Sequence, residues 1–169
     1  MDKISKLLQV RKEKINELRE SGIALYPNDF KPSDSVSGVK KIVLEEPETL
    51  GETGRQFTLA GRMMAINKMG KSSFIRFKDG SEQMQAYLQK DKVGDETYAM
   101  FKKLDIGDFI GIRGFAFRTQ MGEITVHVEE LTILSKSIRP LPIVKEKDGK
   151  SFNVVRDPDF RYRQRYVDL

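Results

Sequence analysis

The stretch Ser73-Phe74-Ile75-Arg76-Phe77-Lys78-Asp79-Gly80-Ser81-Glu82-Gln83-Met84-Gln85-Ala86-Tyr87-Leu88 alternates apolar and polar residues on both sides of an Asp-Gly pair. A period of two marks half-buried strands, and Asp-Gly between two such runs marks a hairpin turn. Ile75 and Phe77 share one face, with Phe74, Arg76 and Lys78 opposite. In the second run Met84, Ala86 and Leu88 point in, and Gln83, Gln85 and Tyr87 point out. Upstream, Phe57, Leu59, Met63 and Ala65 face one way, and Thr58, Arg62, Met64 and Ile66 the other. Downstream, Tyr98, Phe101 and Leu104 fall at helical spacing. Asp105-Ile106-Gly107-Asp108 then turns into a fourth strand, Phe109–Phe117, and Gly122 leads to a fifth, Glu123–Leu134. On the fifth strand Ile124, Val126 and Val128 are expected inside, and Thr125, His127 and Glu129 outside.

Three strands, a helix and two strands within about 80 residues is the order of an oligonucleotide-binding (OB) barrel, with its helix between strands three and four. An open α+β sheet uses the same elements. Gly61, Gly111 and Gly114 favour closure, because glycine within a strand permits the bends a barrel needs. The fold class is thus mainly β, a five-stranded OB-fold barrel preceded by an amphipathic helix. In that helix Ile4, Leu7, Leu8, Ile15 and Leu18 form a core-facing stripe, while Arg11, Lys12, Lys14 and Arg19 occupy much of the remaining wheel. Ser21-Gly22 ends it. A breaker-rich connector follows, with room for a short helical turn near 36–44. The expected organisation is a helix and connector at 1–54, the barrel at 55–135 and a basic linker at 136–169.

Composition narrows the chemistry. The 169 residues carry 30 Lys+Arg against 25 Asp+Glu, a net charge of +5. Residues 55–134 hold twelve basic and ten acidic side chains, so a binding surface on the barrel has to be a local patch. With no cysteine and with His127 the one histidine, thiolate metal sites, disulfides, cysteine nucleophiles and two-histidine catalysis are excluded. No paired acid and base stands out, so neither a catalytic residue nor a metal site is expected in this chain. Gly70-Lys71-Ser72 looks like part of a phosphate loop, but Ala65 stands where the motif needs glycine. No apolar run nears the ~20 residues of a membrane helix, and Met1–Lys6 carries no signal-peptide core. A soluble cytoplasmic protein without a membrane partner is expected.

Phe74 is the anomaly, because strand phase puts it beside Arg76 and Lys78. A phenylalanine left in water forgoes roughly 1.5–3 kcal/mol of burial, so something should cover it. The cover is either the amino-terminal helix or a loop, or else a ligand. Arg62 on strand one and Gln85 on strand three share the outward face, and a ring, a guanidinium and an amide are what an unstacked base requires. The ring stacks, and the polar groups bond the Watson–Crick edge that single-stranded RNA exposes. Lys68, Lys71, Arg76 and Lys78 are candidates for phosphates, which fix position without reading sequence. Arg118 opens the loop between strands four and five, which in OB barrels reaches the ligand. Glu129 is in phase to accept from a base, or is a solubilising strand carboxylate. His127 either borders the site or is a solvated strand residue.

Several runs resemble a known family. Ala60-Gly61-Arg62-Met63-Met64, Met69-Gly70-Lys71-Ser72-Ser73-Phe74, Ser137-Ile138-Arg139-Pro140-Leu141-Pro142 and Arg161-Tyr162-Arg163-Gln164-Arg165-Tyr166-Val167-Asp168-Leu169 are similar to the amino-terminal region of bacterial class II lysyl-tRNA synthetases. Leu141-Pro142-Ile143-Val144-Lys145 with Asp157-Pro158 looks most like the Bacteroidetes branch. The resemblance implies an anticodon-binding domain for tRNA(Lys), with Phe74 stacking on the middle anticodon uridine, Arg62 and Gln85 reading it, and Glu129 carried over less securely. Asn67-Lys68 stands where family members often place an arginine. It further implies a catalytic domain beyond residue 169 that binds ATP, lysine and Mg²⁺ and forms a homodimer. On this expectation the present chain is a fragment that needs no cofactor and is inactive alone. The competing expectation is a free-standing OB protein that binds single-stranded nucleic acid with little sequence preference, or scaffolds other proteins.

Overall fold

The computed structural model describes residues 3–139, 145–147 and 150–152, with side chains from Lys6 to Arg139. The chain separates into two compact units, Met1–Ile138 and Arg139–Leu169. In the second, Lys145–Lys147 and Lys150–Phe152 pair as a short antiparallel hairpin. Most of the Bacteroidetes-like residues lie outside the described ones.

In the first unit, α1 (Lys3–Glu20) ends in a Schellman motif. The N–H of Gly22, at φ +73°, donates to Arg19 O, and that of Ile23 donates to Leu18 O. The buried stripe of α1 differs from the expected one. Ile15 and Leu18 are buried, but so is Arg11, whereas Leu7 is half exposed. At 100° per residue Arg11 lies about 20° from Leu18, inside the apolar stripe rather than beside it. Its guanidinium donates to the carbonyls of Ile106 and Ser137 at 3.0 and 3.1 Å, so a cation is tolerated there because its donors are used. The expected helical turn near 36–44 is α2 (Val36–Glu45), capped by Ser35 Oγ accepting from Gly38 N, with Val36, Val39 and Val43 buried.

Five strands follow: β1 (Gln56–Met69), β2 (Ser72–Lys78), β3 (Gln83–Gln89), β4 (Phe109–Arg118) and β5 (Ile124–Ser135). They close a barrel in the order β1-β2-β3-β5-β4, with the β3–β5 pair parallel and the other pairs antiparallel. Two short helices, α3 (Lys90–Val93) and α4 (Asp95–Lys102), connect β3 to β4, and Tyr98, Phe101 and Leu104 are buried as their spacing predicts. This is the OB arrangement expected from the order of elements. Phe57, Leu59, Ile75, Phe77, Met84 and Leu88 fill the interior at 0–2 % exposure. Asp79 fixes the β2–β3 turn and binds it to α2, since its carboxylate accepts from the N–H groups of Ser81, Glu82 and Val36.

Closure shifts the strand register in three places, one of them between Phe109 and Ile110 at the start of β4. β1 is irregular between Met63 and Ala65, so beyond it Ile66 packs on the core and Ala65 is exposed, the reverse of simple alternation. The β4–β5 ladder skips between Arg113 and Gly114, leaving Glu129 as the extra residue. Gly114 is needed there: a Cβ at this position would stand 1.9 Å from the carbonyl oxygen of His127.

Candidate nucleic-acid interface

Phe74 projects from β2 on the outward face, as its phase predicts, and remains partly exposed. The register puts Asn67 of β1 on one side of it and Tyr87 of β3 on the other. The Phe74 and Tyr87 rings lie 4.9 Å apart at 41°, and Tyr87 meets Phe117 of β4 edge-on at 6.2 Å. These rings line a groove of about 750 Å³. Its floor also includes Ala65, Asn67 and Met69, the residues that the β1 irregularity turns outward. Arg76, Gln85 and Glu123 line the groove as well, and Thr119, Gln120 and Met121 of the β4–β5 loop form one wall. Thr119 braces that loop, accepting from Gly122 N and donating to Glu123 O. Met121 at its tip is 96 % exposed. The space is large enough for a splayed-out base, with aromatic flanks for stacking and amides and a carboxylate for its edge.

The polar groups form one connected set. Arg76 donates from Nη1 and Nη2 to the two carboxylate oxygens of Glu123 at 2.9 and 3.1 Å, and Nη2 also reaches Gln85 Oε1 at 3.3 Å. Arg76 is therefore held within the groove's own network rather than presented as an unpaired phosphate contact.

The structure brings Phe74 and Gln85 together but not Arg62. In register Arg62 stands opposite Lys78 and Phe109, and four residues of strand, about 13 Å at 3.3 Å per residue, separate Lys78 from Phe74. Its guanidinium lies over the Phe109 ring at 4.6 Å, in a separate hollow it shares with Met64 and Lys78. The β1 residue that reaches the groove beside Phe74 is Asn67. Lys68 turns toward α4, where Nζ donates to Lys102 O at 3.1 Å and lies over the Phe101 ring; burial pulls its ammonium below the ordinary lysine range. Lys71, Lys78 and Arg118 are exposed. Glu129, the extra residue of β5, does not line the groove; the carboxylate that does is Glu123. Asn67 and Glu123 are the functional candidates that strand counting missed, and the first is legible only once the β1 irregularity is known.

His127 is not solvated. Its ring stacks on Phe115 at 4.9 Å and 7°, and Tyr87 and Phe117 approach within 5.3 and 6.1 Å. Nδ1 is buried without a hydrogen-bond partner. Burial, assisted by the nearby Lys92 cation, holds the imidazole pKa below its usual value. The folded state thus disfavours the proton that the unfolded chain takes up near pH 6.5, so stability contributed by the neutral ring is complete above that pH and falls below it. A His127→Phe variant keeps the stack, and denaturant midpoints should then change less between pH 7.5 and 5 than in the wild type. Equal changes in both proteins would place the proton elsewhere.

Residues 57–134, the barrel, match the family model described as an OB-fold nucleic acid binding domain. Over 166 residues, 98 % of this chain, the sequence is 45 % identical to the lysine–tRNA ligase of Cupriavidus taiwanensis. The match covers 31 % of that enzyme, so the chain spans about a third of the length of the curated relative.

Proposed function

We propose that this chain is the anticodon-recognition module of a lysine–tRNA ligase, binding the anticodon stem-loop of tRNA(Lys). The observation that carries the reading is the groove itself, where Phe74 and Tyr87 flank a base-sized space edged by Gln85, Asn67 and Glu123. The 45 % identity to a lysine–tRNA ligase supports lysine as the amino acid. The complete enzyme attaches lysine to tRNA using ATP and Mg²⁺, works as a homodimer in the cytoplasm, and carries those functions outside the barrel. No described helix is long and apolar enough to cross a membrane. The comparisons lend no support to the Bacteroidetes branch, and nothing in the reading depends on it.

Phe117 beside Tyr87 gives the groove a third ring, which favours a second reading, a binder of single strands with little base preference. One titration series separates the two: stem-loops with the lysine anticodon against stem-loops with each anticodon base replaced. Loss of affinity confined to anticodon changes supports the proposal, and equal affinity for every loop supports the second reading. The same titrations in rising salt should give a log K slope of about −2, from roughly −0.7 per phosphate held by Lys71, Lys78 and Arg118. A flat response would mean that the groove holds something other than a polyanion.

A further inference from the structure

We infer that Arg76 is a positioning residue that fixes the polarity of Gln85, so that the groove offers a donor to the base and selects a pyrimidine with a carbonyl rather than an amino group at C4. The inference rests on the proposed RNA-binding role of the groove.

The argument is one of hydrogen-bond inventory. A carboxamide carries one acceptor oxygen and one donor NH₂, and a half-turn about its last bond exchanges them. Left alone, Gln85 can present either group to a base and so accommodates both uracil and cytosine. It is not left alone. Arg76 Nη2 stands 3.3 Å from the amide, and a guanidinium has only donors, so the amide atom facing it has to be the oxygen. The NH₂ is then the group left for the ligand. Glu123 orients Arg76 toward Gln85 through two parallel bonds at 2.9 and 3.1 Å. Gln85 and Arg76 are anchored by the β3–β2 pairing, and Glu123, just before β5, is anchored by Thr119, whose hydroxyl accepts from its N–H and whose N–H donates to its carbonyl. Register places Arg76 directly across from Gln85.

The two pyrimidines differ where this polarity matters. Uracil carries a carbonyl oxygen at C4, and cytosine carries an amino group. A fixed NH₂ satisfies the first and meets the second donor to donor. Flipping the amide to rescue cytosine would turn its NH₂ against the Arg76 donors, so the penalty cannot be avoided by rotation. Arg76 therefore acts through Gln85, and its loss should change the choice of base more than the strength of binding.

The test measures the affinity of the 169-residue chain for two lysine anticodon stem-loops that differ only in a uridine or cytidine at the middle position. Wild type, Arg76→Leu, Arg76→Lys and Gln85→Leu are compared. Wild type should prefer uridine by about tenfold or more, the usual consequence of leaving a polar group unpaired in a binding site. In Arg76→Leu the preference should fall to within about threefold of unity at unchanged Tm. Arg76→Lys keeps the charge but cannot fork between Glu123 and Gln85, so it should also lose most of the preference, which separates positioning from electrostatic attraction. Gln85→Leu should lose it in full. A uridine preference retained in Arg76→Leu overturns the inference, as does a wild type that binds both loops equally well while still requiring the rest of the anticodon. A wild type that ignores the anticodon altogether overturns the proposed function instead.

Discussion

Lys136→Ala should lower the stability of the barrel by about 3–5 kcal/mol, the usual cost of removing one partner of a buried ion pair, and its Tm by on the order of 10–20 °C. Sequence places Lys136 at the head of a basic, solvated linker, yet its side chain is 0 % exposed. The ammonium sits 2.8 Å from a carboxylate oxygen of Asp105 and 2.8 Å from one of Asp108. Asp108 is also fully buried, and it accepts from the backbone N–H groups of Asp105 and Ser137 at 2.8 Å. Lys14 of α1 reaches Asp105 at 2.5 Å, and Arg11 caps Ser137 and Ile106. The cluster thus joins the first helix, the turn before β4 and the chain as it leaves β5. Removing Lys136 leaves Asp108 charged, buried and without its cation, while Asp105 keeps Lys14.

Two further readouts distinguish this from lost packing. Asp105 is pushed up by burial, but bonds from Lys136 and Lys14 outweigh that and hold its pKa below the ordinary aspartate value. The stability this lends is present above about pH 3.8 and is lost as pH falls further, so Lys136→Ala should unfold with a shallower acid limb. In a double-mutant cycle, Lys136→Met with Asp108→Asn should cost clearly less than the sum of the two single changes. A loss under about 1 kcal/mol for Lys136→Ala, the range of solvated pairs, would show that the cluster is hydrated.

This cluster also shows where sequence reasoning stops. The alternation of Ile75 with Phe77, and of Met84 with Ala86 and Leu88, is legible because one face of each strand is buried throughout, and the OB order of elements follows from it. The outward placement of Phe74 and Gln85, which both line the groove, is legible for the same reason. The irregularity at Met63–Ala65 leaves no mark in the sequence, since it arises from closing five strands, and beyond it the inward and outward sets exchange. Asn67 is thereby turned outward into the groove, whereas Arg62, ahead of the irregularity, keeps its outward phase but stands opposite Lys78, too far along the strand. Glu123 pairs with a residue 47 positions earlier, a relation no local pattern carries. Arg11 was within reach: its angle lay inside the apolar stripe, and only its charge argued for the surface. The outward phase of His127 left a site border or solvent open, and the rings of Phe115, Tyr87 and Phe117 that cover it come from two other strands.

Phe74→Ala should weaken binding of the lysine anticodon stem-loop by roughly 1–3 kcal/mol, about 5- to 150-fold, while the melting temperature changes little. Phe77→Ala, three residues along the same strand, should do the opposite. Phe77 is 0 % exposed within the barrel, and its truncation should cost about 3–5 kcal/mol of stability. The contrast follows from pleat alone, since odd and even positions of β2 face different surroundings. Phe74→Leu refines the point. Leucine preserves much of the apolar area but has no π face, so a loss close to that of alanine identifies stacking, whereas near-wild-type affinity identifies simple contact. Phe74→Tyr should bind within about threefold of wild type, because the ring and its 4.9 Å partner Tyr87 are retained. Should Phe74→Ala melt as early as Phe77→Ala while binding RNA unchanged, the ring is core and the groove has no stacking platform. The pair of variants decides this because the two phenylalanines differ chiefly in which side of one strand they occupy.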